Sequence, residues 1–483
     1  MRRVLGMLLI LVLGLSVVAS GCIGGGGSGG SSGTSGITLV IITRHDATIQ
    51  YKVKQLFLQS DIAKQYNIVD LKFIGVPESL WPSYVKKGAD VGWGGGPTLF
   101  DDMYKMGYLA PITDQKVLDL IGKQIPRELA GMPMIREENG KVYWIAAALS
   151  SFGFTVNKQV LDKQGLPFPK KWEDIATADW ARDPPMYGIA DPTRSTSNTR
   201  IYQIILQAFG WDEGWRIMTL IAANSKVYEA SDAVRDAVIN GEIAAGNTID
   251  FYGYTAMKQN PNCEYVIPAG ESIINGDPIA LLKNAKHPEA AQAFIYWVLT
   301  EGQAVWMSPN INRLPINAEI FNRTITEKEA KILFDGKYVG KTFAEARPTL
   351  LKAYKLSISS KGIPFDDSKA LKTVNALQYY FKATLIDVNG PLHQAWMAIV
   401  KAYKDGKITE EQFNQLRDEL TAPIEFKDPE TGKTVTFTEE YAAKINDRIA
   451  TDAGFQSQLT QEWRNAAQAK YQKVMDDLKK ITG

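Results

Sequence analysis

A polar stretch at residues 188–200 contains side chains whose types and order could bind an anion. An apolar pair runs into Asp191 and Pro192, which signal a turn, and an apolar run of helical length follows the stretch. The polar side chains in between are Thr193, Arg194, Ser195, Thr196, Ser197 and Asn198. This order predicts a strand, a tight loop and a helix start, where free N–H groups, the helix dipole and short hydroxyls favour an oxyanion. The alternative interpretation is that these hydroxyls only cap their own helix.

Two further clusters follow apolar runs near the start of the globular chain. The first run is residues 37–43, which are rich in β-branched side chains, and the second is residues 89–93. The candidate ligand-binding residues at the ends of these runs are Arg44, His45, Asp46, Trp93, Gly94, Gly95 and Gly96. Alternation of such runs with helical stretches predicts a mostly parallel sheet, whose ligands lie outside the C-terminal ends of its strands. The glycines would let the backbone approach a ligand or would form a plain turn, and Arg44 and Asp46 could simply pair with each other.

A third cluster of candidate ligand-binding residues consists of Asp250, Phe251 and Tyr252 at the end of another run. Carboxylates here suit an ammonium group or sugar hydroxyls, and the further acceptors of this kind are Asp46 and Glu78. The aromatic side chains that could stack on a solute are Trp81, Trp93, Tyr252 and Tyr254. The alternative for each aromatic residue is packing in the core.

The composition excludes several classes of protein. The chain has 483 residues, of which 45% are hydrophobic and 10% aromatic, enough for two or three folded domains. Its 54 Lys and Arg residues against 53 Asp and Glu residues leave a formal charge of +1, so the charge balance predicts no nucleic-acid partner. Two cysteines and three histidines provide neither a CxxC pair nor an HExxH helix. We expect no cofactor and no resident metal, and the absence of a nucleophile elbow disfavours a hydrolase.

The first 36 residues predict secretion and a lipid anchor. Two arginines precede an apolar run at residues 4–18, and small residues then lead to Cys22, a pattern that resembles a lipobox. The resemblance implies a signal peptide at residues 1–21, a lipid on the Cys22 thiol, and a mature protein held at the extracellular face of the cell membrane. Residues 22–36 are rich in glycine and serine and would form a tether with an r.m.s. reach of about 20 Å. A transmembrane helix is the alternative, but the apolar run is shorter than the roughly 20 residues that cross a bilayer.

The remaining chain divides into two lobes and an extension. The predicted units are a first lobe at residues 37–150, a second lobe at residues 151–265, a return to the first lobe with C-terminal helices at residues 266–404, and a mainly helical extension at residues 405–483. Residues 365–403 are expected to pack on the first lobe. Residues 423–427 and 433–437 flank a turn and predict a β-hairpin. One face of residues 438–481 is apolar, with an interruption near Gly454, and we expect this helix to buttress a lobe.

Five motifs occur in order along residues 37–403. They are P-K-K-W-E-D at 169–174, A-D-P-T-R-S-T at 190–196, V-I-N-G-E within 231–246, V-I-P-A-G at 266–270, and A-L-L-K-N-A-K-H-P-E-A-A-Q-A-F with a following E-G-Q within 279–303. The set resembles the ferric-iron-binding class of extracellular solute-binding proteins of ABC importers. The resemblance implies an α/β, two-lobe type II periplasmic-binding-protein fold with crossover strands as a hinge and a small-molecule ligand held between the lobes. It also implies a permease and an ATPase as partners and no catalysis, and we expect a monomer.

The ligand is the more difficult prediction. Iron binders of this class use a His after the first strand, a Glu after the third, two adjacent Tyr residues, and an anion held by a Ser-rich helix start. His45 and residues 193–198 match, but residues 94–96 contain no carboxylate and the Tyr pair becomes Phe251 and Tyr252. Iron would therefore have only His45 and Tyr252, unless Asp46 or Asp250 substitutes for the missing ligands.

The hydrogen-bond donors of Arg44 and of residues 193–198 favour a small anionic solute. This solute would be an organic phosphate, phosphonate or carboxylate. The alternatives left open are ferric iron with a synergistic anion, a polyamine, and thiamine. A different class of function, also open, is a ligand-sensing subunit of a membrane receptor.

Overall fold

The computed structural model describes residues 36–77 and 80–483. The predicted signal peptide, Cys22, all but the last residue of the tether, and Glu78 lie outside the described residues. In the part of the chain that is described, no helix is both long and apolar enough to cross a membrane.

The strands belong to two sheets that share one long strand, plus two short hairpins. Their bounds are β1 (Ile37–Thr43), β2 (Ile68–Gly75), β3 (Val91–Trp93), β4 (Glu128–Leu129), β5 (Met132–Pro133), β6 (Ile135–Glu138), β7 (Lys141–Asn157), β8 (Tyr187–Ala190), β9 (Ser225–Tyr228), β10 (Ala245–Ile249), β11 (Cys263–Val266), β12 (Ile274–Leu281), β13 (Leu314–Pro315), β14 (Glu425–Lys427) and β15 (Thr434–Thr436). β4 pairs with β5 and β14 pairs with β15, both antiparallel, so the hairpin predicted in the extension is confirmed.

β7 joins the two lobes. Its first part, up to Ser151, pairs antiparallel with β6, β12 and β13, and its last part, from Phe152, pairs antiparallel with β10 and β11. The first-lobe sheet continues from β12 through β3 and β1 to β2, and the second-lobe sheet from β10 through β8 to β9. The pairs β1–β2, β1–β3, β8–β9 and β8–β10 are parallel. The predicted α/β architecture of two lobes with crossover strands is therefore confirmed.

The return to the first lobe occurs later than residue 266, where the sequence placed it. β11 ends at Val266 and still pairs with the second-lobe part of β7. β12 is the strand that returns, because it pairs with both β7 and β3 of the first lobe.

Helices cover the sheets and form the C-terminal part of the chain. Their bounds are α1 (Ala47–Phe57), α2 (Asp61–Gln65), α3 (Trp81–Lys86), α4 (Pro97–Lys105), α5 (Gln115–Leu118), α6 (Lys158–Gln164), α7 (Trp172–Ile175), α8 (Thr196–Phe209), α9 (Trp211–Ala223), α10 (Ser231–Ile239), α11 (Asp250–Gln259), α12 (Pro288–Leu299), α13 (Glu327–Leu333), α14 (Phe343–Ala346), α15 (Pro348–Ser359), α16 (Asp367–Leu371), α17 (Val374–Phe381), α18 (Asn389–Lys404), α19 (Glu410–Thr421), α20 (Glu439–Thr451) and α21 (Ala453–Thr482). Shorter helical turns are Ala178–Trp180, Glu301–Met307, Ala318–Asn322 and the π-turn Lys382–Ile386.

The helices after residue 373 pack on the second lobe, and the expectation that residues 365–403 return to the first lobe is wrong for α17 and α18. Phe381 of α17 stacks on Tyr202 of α8 with ring centroids 3.9 Å apart. The Nε1 of Trp396 in α18 donates to Oδ1 of Asn224, just after α9, at 2.9 Å. The helical periodicity of the sequence indicates which face of each helix is apolar, but it does not indicate which lobe that face packs against.

The long C-terminal helical run breaks where the sequence indicated. α20 ends at Thr451 and α21 starts after Asp452, whose side chain accepts from the N–H of Phe455 at 3.0 Å. This carboxylate cap satisfies an N–H group at the start of α21 and so fixes the break beside Gly454.

Candidate functional site

A cavity of about 770 Å³ lies where the two sheets meet. Ser150 and Phe152 of β7 form part of its floor, on either side of the point at which that strand passes from one lobe to the other. The loops after β1 and β3, the start of α8, part of β12 and Arg313 complete the wall within the lobes. α16 and α17 contribute a further side. The cavity is therefore at the C-terminal ends of parallel strands, the position at which α/β sheets hold ligands.

The start of α8 is built by short-range hydrogen bonds. After β8, the Oδ1 of Asp191 accepts from the N–H and the hydroxyl of Thr193, at 2.8 and 2.7 Å. The backbone oxygen of Asp191 accepts from the N–H of Ser195 at 2.9 Å. Ser195 then caps the helix, because its Oγ accepts from the N–H of Asn198 at 3.2 Å. The capping interpretation is thus right for Ser195, and Thr196 is the first helical residue.

A buried hydroxyl cluster supports this helix start from behind. Oγ of Ser231 lies 2.7 Å from Oγ of Ser195 and 2.6 Å from Oγ of Ser197. The side-chain amide of Asn198 donates to Oγ of Ser231 at 2.8 Å. Ser195 and Asn198 are buried in this cluster, whereas Thr196 and Ser197 line the cavity. The side chain of Arg194 pairs with Glu229 on the exposed surface.

Three arginines face the cavity. Arg44 is exposed, whereas the guanidinium of Arg200 lies 2.7 Å from a carboxylate oxygen of Asp367 and that of Arg313 lies 2.7 Å from a carboxylate oxygen of Asp277. The acidic lining residues are Asp102 and Asp277. With Asp367, which pairs with Arg200 from beside the cavity, three carboxylates balance the three arginines, and Arg44 is the arginine of the three for which the described residues give no ion pair. With the partial positive charge of the α8 N-terminus added, the cavity favours an anion.

The glycine loop after β3 is organised by Asp277 of β12. The N–H groups of Gly95 and Gly96 donate to Oδ1 of Asp277 at 3.0 and 3.3 Å. Gly94 has φ +78°, and a Cβ there would lie 2.7 Å from Nε2 of His45. Gly95 and Gly96 line the cavity, but their N–H groups already donate to Asp277. The loop therefore forms part of the cavity wall without providing these N–H groups to a ligand.

His45 lines the cavity as a neutral, buried ring. Its Nε2 is 3.8 Å from Oδ2 of Asp277, and its Nδ1 is 3.4 Å from Nη1 of Arg313. Burial, opposed by the charge of Asp277 and assisted by that of Arg313, lowers the pKa of His45 to about 4. Burial by itself would raise the pKa of Asp277, but the Arg313 guanidinium and the neighbouring donors hold it below its usual value. The Arg313–Asp277 pair is therefore charged at neutral pH.

The predicted cluster at the start of α11 lies outside the cavity lining. Asp250 is fully buried and accepts from the N–H groups of Ser151 and Phe251, at 2.9 and 2.8 Å. Burial raises the pKa of Asp250 to about 7. The guanidinium of Arg235 covers the ring of Tyr252 at 4.7 Å from its centroid. Phe251 lies beside the Arg313 guanidinium, 5.8 Å from its ring centroid.

Several other candidate residues have structural roles. The Oδ1 of Asp46 caps α1 by accepting from the N–H groups of Thr48 and Ile49 at 2.7 and 3.0 Å. The aromatic side chains that the structure places in the core are Trp81, Trp93 and Tyr254. Trp93 packs edge-on to the His45 ring, with centroids 4.5 Å apart, so it orients His45 and lies behind the cavity.

Several polar lining residues were not among the candidates from the sequence. They are Thr199, Arg200, Gln203, Asn275, Asp277, Arg313, Asn375 and Gln378. A sequence signal existed for Arg200, which ends the polar stretch and lies one helical turn after Thr196. Arg313 follows β12 by more than 30 residues and has no motif around it.

The described residues contain no group of three or more His, Cys, Asp or Glu side chains placed to hold a metal ion. Of the iron ligands implied by the resemblance, His45 lines the cavity and Tyr252 is not among the lining residues. The Nδ1 of His45 faces the Arg313 guanidinium at 3.4 Å, and this positive charge would repel a trivalent cation bound there.

Comparison with known proteins gives a family assignment. The family model described as bacterial extracellular solute-binding protein matches residues 42–305, more than half of the chain. The phosphoglycerate transport regulatory protein PgtC of Salmonella typhimurium is 29% identical over 174 residues, which is 36% of this chain. The chain spans 43% of the length of that relative and of the protein of the same name from Salmonella typhi.

Solved structures of binding proteins align with about two thirds of the chain. Iron-bound HitA from Pseudomonas aeruginosa aligns with a TM-score of 0.48 and 17% identity, covering 66% of this chain and 98% of that one. AfuA from Actinobacillus pleuropneumoniae, solved with fructose-6-phosphate bound, aligns with a TM-score of 0.46, 17% identity and the same coverage.

Proposed function

The chain belongs to the family of bacterial extracellular solute-binding proteins, and from this premise we propose that it captures a small organic anion for an ABC importer. The anion would be a phosphate, phosphonate or carboxylate ester or acid. It would bind between the lobes, with its acidic group at the start of α8, and pass to a permease driven by an ATPase. The protein would be a monomer at the extracellular face of the membrane, held by a lipid on Cys22.

The observation that carries this proposal is the grouping of anion-binding elements at one cavity. Thr196 and Ser197 in the first turn of α8, together with Arg44 and Arg200, all belong to its lining. Helix N-termini and arginine forks are the elements that proteins use for phosphate and carboxylate. The name of the Salmonella relative, which refers to phosphoglycerate transport, is in keeping with this ligand class.

The binding energy would also drive closure of the lobes. A ligand shifts an open–closed equilibrium only by contacts that it makes better in the closed form. Thr196 and Ser197 belong to the second lobe and Arg44 to the first, so one anion that contacts all three would stabilise the closed form.

Thermal-shift screening followed by calorimetry tests the proposal. The panel is 3-phosphoglycerate, glycerol 3-phosphate, fructose 6-phosphate, an aminophosphonate, gluconate, ferric citrate, spermidine and thiamine. We expect one or more organic phosphates or carboxylates to raise Tm and to bind with a Kd in the micromolar range or below. Binding of spermidine or thiamine alone, or of ferric iron without an organic anion, would contradict the proposal.

A second candidate function is a ligand-sensing subunit of a membrane receptor. It is favoured by the word regulatory in the name of the Salmonella relative. Both functions use the same cavity, so the ligand does not separate them. Neighbouring genes for a permease and an ATPase would support import, and a neighbouring gene for a membrane sensor would support signalling.

A further inference from the structure

The cavity has a side that neither lobe supplies. α16 and α17 come after the chain has left both sheets, yet Leu371, Val374, Asn375 and Gln378 line the cavity together with the residues at the start of α8. Asn375 and Gln378 are half-buried. In the described part of the chain, the carboxamide of Asn375 makes no hydrogen bond, and that of Gln378 makes one, from Nε2 to Oγ1 of Thr199 at 3.2 Å. These two amides therefore retain free donors and acceptors at the cavity.

Hydrogen bonds fasten this segment to the second lobe. Gln203 of α8 donates to the backbone oxygen of Ala370 at 3.2 Å. Gln207 exchanges two hydrogen bonds with the backbone of Asp366, at 2.9 and 2.8 Å. The first lobe also contacts α16, because Thr98 donates to Asp367 at 2.6 Å and Lys105 donates to Ser368 at 3.3 Å. α17 is therefore held by the second lobe, and α16 bridges the two lobes.

The extension holds α17 from its other side. Oδ1 of Asn446 in α20 accepts from the backbone N–H groups of Asn375 and Ala376, at 2.8 and 3.4 Å, and so caps α17. Phe437 stacks on Tyr380 of α17, with centroids 3.7 Å apart and planes at 9°. The position of the two free amides is thus fixed by residues 405–483, a part of the chain outside both lobes.

Carboxamides suit hydroxyl groups better than they suit bare anions. Each amide offers both a donor and an acceptor, and a ligand hydroxyl requires both, whereas a phosphate or carboxylate oxygen only accepts. A site built to hydrogen-bond a hydroxyl discriminates strongly against the analogue that lacks it, because its own polar groups are left unpaired.

We propose that Asn375 and Gln378 form a third wall of the ligand site and select anions that carry hydroxyl groups, namely phosphorylated or carboxylated polyols. This inference rests on the proposed function, since it assumes that the anion binds at the start of α8. In this arrangement the α8 start binds the charge, the amides bind the hydroxyls, and the extension is the scaffold that positions the amides.

Matched ligand pairs test the selection in the full-length protein. Glycerol 3-phosphate is compared with propyl phosphate, and gluconate with hexanoate, because each pair has the same charged group and differs in hydroxyls. For wild type we expect at least tenfold tighter binding of one hydroxylated member than of its partner, measured by calorimetry. If both members of a pair bind with equal affinity, the proposed selection by Asn375 and Gln378 is contradicted. The proposed anion site at the start of α8 is then still supported. If neither pair binds but another organic anion of the screening panel does, that anion is compared with its analogue without hydroxyls and the same criterion applies. If no organic anion binds, the proposed function fails, and the third wall fails with it.

Amide variants then locate the selection. Asn375→Ala with Gln378→Ala should lower the affinity for the hydroxylated ligand at least tenfold and leave that for its hydroxyl-free partner within twofold. Gln472→Ala, which removes an exposed amide on α21, is the matched control and should change neither. A loss of the same size for both members of the pair, or no loss, would overturn the inference. If the double variant does not fold, the comparison of the ligand pairs in the wild-type protein alone decides whether the site selects hydroxylated anions.

Discussion

Thr196→Val separates ligand binding from helix capping at the start of α8. The hydroxyl of Thr196 lines the cavity and makes no hydrogen bond within the described part of the chain. Valine keeps the shape and removes this donor. A hydrogen bond to a charged group contributes about 1.5–3 kcal/mol, and because Thr196 is exposed before the ligand binds we expect the lower end of that range. The substitution should therefore weaken binding of an organic anion roughly tenfold and leave Tm unchanged.

The matched control is Ser195→Ala. Ser195 is buried and caps α8, with its Oγ accepting from the N–H of Asn198. Loss of such a cap costs about 1 kcal/mol of stability, or a fall in Tm of about 2 °C or less for a chain of this size. We expect little direct effect on Kd, because this hydroxyl faces Ser231 and not the cavity.

Calorimetric titration with the best anion of the panel, together with Tm measurements, decides between these roles. The expected pattern is a change in Kd without a change in Tm for Thr196→Val, and the reverse for Ser195→Ala. Unchanged affinity in Thr196→Val would refute the assignment of the acidic group to this helix start.

Three further predictions concern the buried His45, the C-terminal extension and the lipid anchor. Burial lowers the pKa of His45 from 6.5 to about 4. Between pH 6.5 and pH 4 this histidine is therefore protonated in the unfolded chain and neutral in the folded protein. The free energy of unfolding falls by roughly 3 kcal/mol as the pH drops through this range. His45→Gln should therefore lose less Tm than wild type between pH 7 and pH 4.5, and an equal loss would contradict this. Phe437→Ala should cost about 3–4 kcal/mol in urea unfolding, because Phe437 is buried against Tyr380; Phe168→Ala, at an exposed position, should cost less than about 0.5 kcal/mol. Cys22→Ser should release the protein from membranes into the soluble fraction of its native host, and continued membrane association would exclude the proposed lipid anchor.

The fold was predictable where the local pattern and the long-range arrangement agree. Apolar β-branched runs alternating with helical stretches indicated parallel strands, and β1, β2 and β3 form them. The long strand β7 was harder, because Ser150 and Ser151 interrupt its apolar sequence. The structure pairs these serines with Arg313 and Asp250, so the strand remains buried without leaving a polar group unsatisfied.

For the candidate site, the sequence could predict only the local structure around the start of α8. The start of α8 depends on a turn and a cap that are encoded within ten residues, and the sequence placed it correctly. The other walls depend on contacts between distant segments, such as Arg313 with Asp277 and Gln378 with Thr199. Periodicity and turn chemistry carry no information about such contacts. Asp250 illustrates the converse, because a strand-end carboxylate that suggested a ligand site is satisfied by two backbone N–H groups.

The most direct measurement is a crystal structure of the protein with the tightest-binding anion of the panel. We predict that an acidic group of the ligand lies within hydrogen-bond distance of the N–H groups of Thr196 and Ser197, between the two lobes. A ligand bound elsewhere, or one whose acidic group points away from the start of α8, would contradict it.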